Sequence, residues 1–467
     1  MKTVGSVFLG LEVVKRKTQS LSSLIVNRKS SILRVAVIVV MLFFNCAQVW
    51  AIDANREVRP DGLVVLYAEK NNLPIVKINL LIKASPFDEP QDKAGLANLV
   101  AELLMEGTKT RTSEQISEGV DFIGADLDVS AGRDYTTISL AVLKKDIDKG
   151  FELFSDILMN PVFPDNEIRM KKELIKGDLK QREEDPGFVA QRSFRKAIYG
   201  NLPYGRLIEG SPDTLASIKR EDIIRFYRTY YRPNNAMLSV VGDLTHEEVA
   251  KLLDRYLSKW QKGNIPPSTS YPIPELKDKT VITIDRDLTQ ANIVLGNIGI
   301  KRSNPDYYAV SVMNYILGGG GFASRLMIRI RDDMGLAYDV HSFFTSDRDK
   351  GVFQVGVQTK NGSAKTVIKL ILQEIERIQK GPVSDEELRD AKAYLTGSFP
   401  RRLDTMGKIA NFLTLTGFYQ LGIDYDRKYP GYINSVTKED VRRVAVKYLD
   451  PEKYVLVVVA DLKKAGF

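Results

Sequence analysis

The residues able to do chemistry are few. Two histidines, His246 and His341, and one cysteine, Cys46, are the only imidazoles and thiol in 467 residues. His246 opens "HEEVAKLLDRYL" behind Thr245, a candidate helix cap, and reads as a first-turn surface residue. His341 follows "AYDV" and reads as a strand residue rather than a ligand. The run Gly318, Gly319, Gly320, Gly321 invites a phosphate-binding reading, but a phosphate loop needs a lysine and a Ser/Thr after its last glycine, and this run continues "FASRL". A close backbone approach, or a hinged loop that touches a substrate strand, fits better.

The elements that must position these residues come from a duplication. Ser217 to Leu244 and Ser435 to Leu462 superpose without a gap. Each contains an amphipathic helix with a Glu-Asp pair (Glu221-Asp222, Glu439-Asp440), then a proline (Pro233, Pro451) and an apolar strand ending in Asp-Leu. Segments beginning at Pro161 and Pro382 repeat in the same order. Between the copies, residues 262–279 hold four prolines among polar residues and read as an extended linker. The expected fold is α+β: two homologous halves, residues 52–261 and 280–467, each a mainly antiparallel sheet with helices packed on one face.

Residues 1–51 have the parts of a secretory signal: basic residues ending in "RKSSILR", the apolar run Val35 to Phe44, and the small-residue site "VWA" ending at Ala51. Seven basic residues against one acid place +6 of the formal +8 charge there, so the remainder carries no strong basic surface and nucleic acid is not an expected partner. The apolar run is about half the ~20 residues of a spanning helix. Cleavage after Ala51 and export to a bacterial periplasm are expected, with no stable membrane insertion afterwards; left uncleaved, the segment would anchor the chain. Cleavage would also remove Cys46, leaving neither disulfide nor thiol.

"GLANLVAELLMEGT" resembles the zinc-site segment of the pitrilysin/insulinase metallopeptidases, which include the mitochondrial processing peptidase and read approximately G-L-A-H-F-L-E-H-M-L-F-K-G-T. That family is also built from duplicated halves joined by a linker. In H-x-x-E-H on a helix, two histidines one turn apart hold zinc and the glutamate takes a proton from the metal-bound water. The resemblance places Asn98, Ala101 and Glu102 at those positions, and Asp178, five residues before "EEDP", at the distal acidic ligand. An amide is a poor zinc ligand and a methyl group accepts no proton. No cofactor is therefore expected on this chain, although Glu102 and Asp178 leave open a hard cation held through oxygens.

In the second half the family pattern survives. "LGGGGFASRLMIRIRDDMGLAYDVHSFF" resembles its G-G-G-x-x-S-R-L-x-x-x-x-R-x-x-x-G-L-A-Y segment, which places the substrate-binding arginine and tyrosine on Arg331 and Tyr338. Arginine offers a fixed fork of donors and a tyrosine hydroxyl can support an oxyanion. The ordinary alternative is that Arg331 pairs with Asp332 or Asp333 and Tyr338 packs in a sheet. The resemblance implies the non-zinc-binding subunit of a heterodimeric peptidase. Its partner would be a homologous chain bearing H-x-x-E-H and the zinc, and its substrate a peptide or unfolded protein. The alternative is an inactive periplasmic peptide-binding or structural protein of the same fold.

Overall fold

The computed structural model describes residues 52–467 apart from Ser268, Ser270 and Pro274. The leader, with Cys46 and Ala51, lies outside the described residues. No described helix is long and apolar enough to cross a membrane.

Two sheets carry the halves. The first contains β1 (Asn55–Val58), β2 (Val64–Glu69), β3 (Ile75–Ile82), β4 (Asp126–Ala131), β5 (Thr136–Leu143) and β6 (Ala236–Gly242), in the order β1-β2-β6-β3-β5-β4. The second is built from β7 (Thr280–Asp285), β8 (Gln290–Ile298), β10 (Ala337–Phe344), β12 (Val352–Lys360) and β13 (Val455–Ala460), in the order β10-β12-β8-β13-β7. The short strands β9 (Ile300–Lys301) and β11 (Ser346–Asp347) pair with each other in parallel. Read from opposite ends, the two orders coincide once β1 is set aside, so β4 and β10 are equivalent edge strands. Only β2 with β6 and β7 with β13 run parallel within the two large sheets.

Residue pattern accounts for the strand positions. β5 alternates buried and half-buried residues, as a strand with one covered face does. β6 and β13, "AMLSVVG" and "VLVVVA", are buried along their whole length because both faces are covered. Five helices position the candidate sites or join the halves: α1 (Leu96–Glu102), α2 (Asp165–Arg182), α3 (Pro186–Tyr199), α4 (Asp385–Ser398) and α5 (Met406–Phe418).

The α+β class and the two largely antiparallel sheets agree with expectation. Added to it is an exchange of helices between the halves. α5 crosses the first sheet over β3 and β6, while α3 crosses the second over β8 and β13. Under α5 the contact is partly polar: Asn79 Nδ2 donates to Thr414 Oγ1 at 2.8 Å and Ser239 Oγ to the Ala410 carbonyl at 2.8 Å. Under α3 it is apolar, with Val189, Ala190, Phe194 and Ile198 against Val294, Val455, Val457 and Val459. Each half thus completes the other's core, and the halves form a single compact unit.

Candidate functional site

In the N-terminal half, Glu89 fixes the start of α1. Its carboxylate is buried and accepts hydrogen bonds from the Gly95 and Ala97 amides at 3.1 and 3.0 Å. A negative group at a helix N-terminus is favourable, yet burial dominates and pushes the Glu89 carboxyl up to about 7, against the partial opposition of these amides and Arg206. Asn98 and Ala101 are buried further along the helix, Ala101 to 1% exposure, so neither water nor a metal has access at position 101.

The two acids of this region are already ion-paired. Lys171 on α2 places its ammonium 3.5 Å from Glu102 and 2.9 Å from Glu106. Arg182, one turn beyond Asp178, lies 3.4 Å from it and 2.6 Å from Glu209. Among the described residues no group of three or more His, Cys, Asp or Glu is placed to hold a metal. An amide, a buried methyl and a carboxylate paired to a lysine do not fit zinc, which takes nitrogen, thiolate or free carboxylate donors in tetrahedral array.

The C-terminal half is organised differently. Gly318 lies where a Cβ would come within 2.5 Å of Ser342 Oγ and 2.8 Å of the Ser342 amide, so a glycine lets this turn lie directly on β10. Gly321, at φ +57°, supplies the left-handed step that leads into Phe322. Ser324 then donates to the Gly321 carbonyl at 2.7 Å, and Arg325 forks onto Glu387 of α4 at 2.6 and 2.9 Å. That pairing holds the Glu387 carboxyl down at about 2, although partial burial acts in the opposite direction.

Behind this anchor, residues Ile328–Asp332 form a π-helical turn carrying Arg331. π-turns frequently mark functional sites. Tyr338 follows in β10, where the register to β12 shifts between Ala337 and Val340. The bulge turns Tyr338 outward to 88% exposure. The Arg331 guanidinium carbon lies 4.7 Å from the Phe322 ring centroid and 5.7 Å from that of Tyr338. Phe322 is itself 67% exposed. Half of the ordinary alternative is thus observed: Arg331 donates to Asp332 Oδ1 at 2.9 Å, whereas Tyr338 does not pack in the sheet.

Tyr338 lines a cleft of about 590 Å³ floored by β8, β10 and β12 and walled by Gly187, Ala190 and Gln191 of α3. His341 shares it, on β10 as the sequence suggests, with Nδ1 2.7 Å from Asp339 Oδ2. His246 lies outside, on a surface helix capped by Thr245, with Nε2 3.3 Å from Glu57. Arg331 and Tyr338 are therefore brought together beside Phe322, the residue that follows the four glycines, while the substituted zinc positions sit separately on α1 and α2.

Sequence reasoning passed over Lys171, Phe322 and the Arg325–Glu387 pair. Lys171 gave no signal, because nothing local says that a lysine on α2 reaches α1. Phe322 was visible as the first residue after the glycines. The Arg325–Glu387 pair was hinted at by "SDEE", since Ser384 and Glu387 also form the capping box of α4.

The duplicated sheet order and exchanged helices define a two-lobed peptidase-type fold, and comparison with known proteins agrees. Residues 64–211 match the model of the insulinase family, peptidase family M16, and residues 217–395 match that of the peptidase M16 inactive domain. The chain belongs to the M16 family, as a member without the zinc-binding motif. An uncharacterized zinc protease of Rickettsia felis is 29% identical over 335 residues, 72% of this chain and 80% of that one. A protein of Helicobacter pylori called a non-peptidase homolog, YmxG, is 26% identical over 88% of this chain and 94% of its own. Among solved structures, a peptidase M16 inactive domain from Pseudomonas fluorescens superposes with a TM-score of 0.82 at 27% identity, covering 87% of this chain and 98% of that one.

Proposed function

We propose that this chain is the non-zinc-binding subunit of an exported bacterial two-chain peptidase, and that Arg331 and Tyr338 donate hydrogen bonds to a peptide backbone at a site completed by a homologous partner. The partner carries H-x-x-E-H and supplies the metal; the leader supports export. The observation that carries the reading is the division between halves. The N-terminal positions have lost their ligands and gained Lys171, while the C-terminal half presents an arginine fork on a π-turn beside an open tyrosine hydroxyl on the bulged strand. Arg331 keeps donors beyond the one given to Asp332, since a guanidinium has five N–H groups. Closing a partner over the exposed Phe322 and Tyr338 excludes water, which strengthens these donors.

The test is to assay this chain, the H-x-x-E-H chain and their mixture on an unfolded protein substrate. Turnover confined to the mixture and stopped by a chelator supports the reading. Chelator-sensitive digestion by this chain alone overturns it. A second reading, a periplasmic peptide-binding or structural protein without hydrolytic role, is favoured by the Arg331–Asp332 pair. Saturable peptide binding with no turnover beyond the partner's own would decide for it.

A further inference from the structure

The C-terminal half holds another cleft, of about 430 Å³, between the turn Phe399–Arg402, α5 and the segment that carries Arg302 and Tyr307. Its walls are largely aromatic and aliphatic: Phe399, Phe412, Leu415 and Tyr425 among them. Its charge has one sign. Arg302, Arg401, Arg402 and Lys408 line it, and no Asp or Glu does. Lys408 is paired with Asp404 at 2.8 Å, whereas the three arginines make no ion pair among the described residues.

The position of Arg302 shows that the cationic side is built into the fold. Its guanidinium carbon lies 3.7 Å from the Tyr307 ring centroid and 5.4 Å from that of Tyr425, and Nη2 donates to the Tyr425 hydroxyl at 2.7 Å. Rings and a neutral hydroxyl thus hold it in place without a counter-charge. Burial pushes the Tyr419 and Tyr425 hydroxyls up, so both stay protonated and neither neutralises the site. The acids Asp134 and Asp347 act on the Tyr419 hydroxyl without lining the cleft. Arg402 lies 5.7 Å from the Phe399 ring centroid, at the edge of the apolar wall.

A half-buried guanidinium without a carboxylate is costly, and a guanidinium fork matches a carboxylate in a bidentate geometry. From the charge imbalance and the aromatic walls together we infer that this cleft binds an amphipathic carboxylate, an anionic head on an aromatic or aliphatic body. Two sources share that chemistry: the C-terminus of a peptide ending in an apolar residue, and a free fatty acid. The inference is independent of the proposed subunit role, since it needs neither a partner nor turnover.

The test is calorimetric titration of the full chain with N-acetylphenylalanine, its uncharged amide, and decanoate. At least one acid is expected to bind saturably, with the amide at least about tenfold weaker than its acid if the peptide-like probe is the binder. The Arg401→Gln/Arg402→Gln double variant, altered only at exposed positions, is expected to weaken the acid at least about tenfold while its circular dichroism and melting temperature stay unchanged. The tighter of the two acids identifies the source. Absence of saturable binding by both acids, equal affinity for N-acetylphenylalanine and its amide with no decanoate binding, or an unchanged affinity in the double variant overturns the inference.

Discussion

Strands β4 and β10 hold the same place in their sheets, each an outer strand paired antiparallel with one neighbour, yet they present different surfaces. β4 pairs with β5 in unbroken register from Asp126 to Ala131. β10 slips against β12 between Ala337 and Val340, and the extra residue projects Tyr338 into solvent beside Arg331. The segments upstream of these strands diverge as well. In the N-terminal half α1 ends with Glu102 closed against Lys171; in the C-terminal half the glycine run lies on β10 and continues into a π-turn. One scaffold, duplicated, therefore carries a side closed by ion pairs and a side opened by a bulge.

The largest expected effect tests the open side. In the two-chain complex, Arg331→Ala or Tyr338→Phe should lower turnover by about 10²–10³, the range for losing an oxyanion donor. Melting temperature should stay within a degree or two, because Tyr338 is almost wholly exposed and Arg331 pairs only with a surface acid. Turnover unchanged in both variants would remove the functional half of the comparison.

The closed side is probed through Glu89. Its carboxyl titrates near 7 in the folded chain and near 4.5 when unfolded, so between those values the folded state binds more protons. The Glu89 contribution to stability is fully present below pH 4.5 and is lost as pH rises through 7, by about 3 kcal/mol for such a shift. Chemical denaturation from pH 4.5 to 7.5 should show this slope in the parent and a flatter profile in Glu89→Gln. Parallel profiles would mean that Glu89 does not set the start of α1 in the way described.

On the open side, Glu387→Ala should cost about 2 kcal/mol by removing a charge-assisted fork from Arg325. The Glu387 carboxyl is held down, so its contribution is present above pH 4.5 and fades as pH falls toward 2, opposite in sign to Glu89. Urea titrations of parent and variant at pH 7 and pH 2.5 should therefore converge at the lower pH.

The sequence made the duplication legible because the repeated segments combine caps, a proline and an apolar strand in fixed order, and each of these has a local cause. It also showed the replaced positions 98, 101 and 102 and the retained Arg331 and Tyr338 through resemblance to a family motif. The exchange of α3 and α5 between sheets was not visible. An amphipathic helix such as "PGFVAQRSFRKAIY" records that one face is buried, not which sheet buries it. Nor could spacing reveal the β10 bulge, since "AYDVHSFF" alternates acceptably in either register until β12 fixes the pairing.

The smallest effect concerns whether loss of ligands alone closed the N-terminal site. Were it so, Asn98→His/Glu102→His would restore much of the zinc affinity that two imidazoles one turn apart can give. Removing Glu102, however, frees the Lys171 ammonium from one of its two carboxylates and leaves it close to the restored ligand, with Glu106 still holding it at 2.9 Å. A fixed positive charge next to a dication raises the cost of binding, and across a few ångströms near a protein surface that repulsion is worth at least about 1.4 kcal/mol, or tenfold in affinity. Adding Lys171→Ala to the double histidine variant should therefore tighten zinc binding by at least about tenfold in competition with a chromogenic chelator. Equal affinities would make Lys171 a bystander and leave the substituted ligands as the whole difference between the two halves.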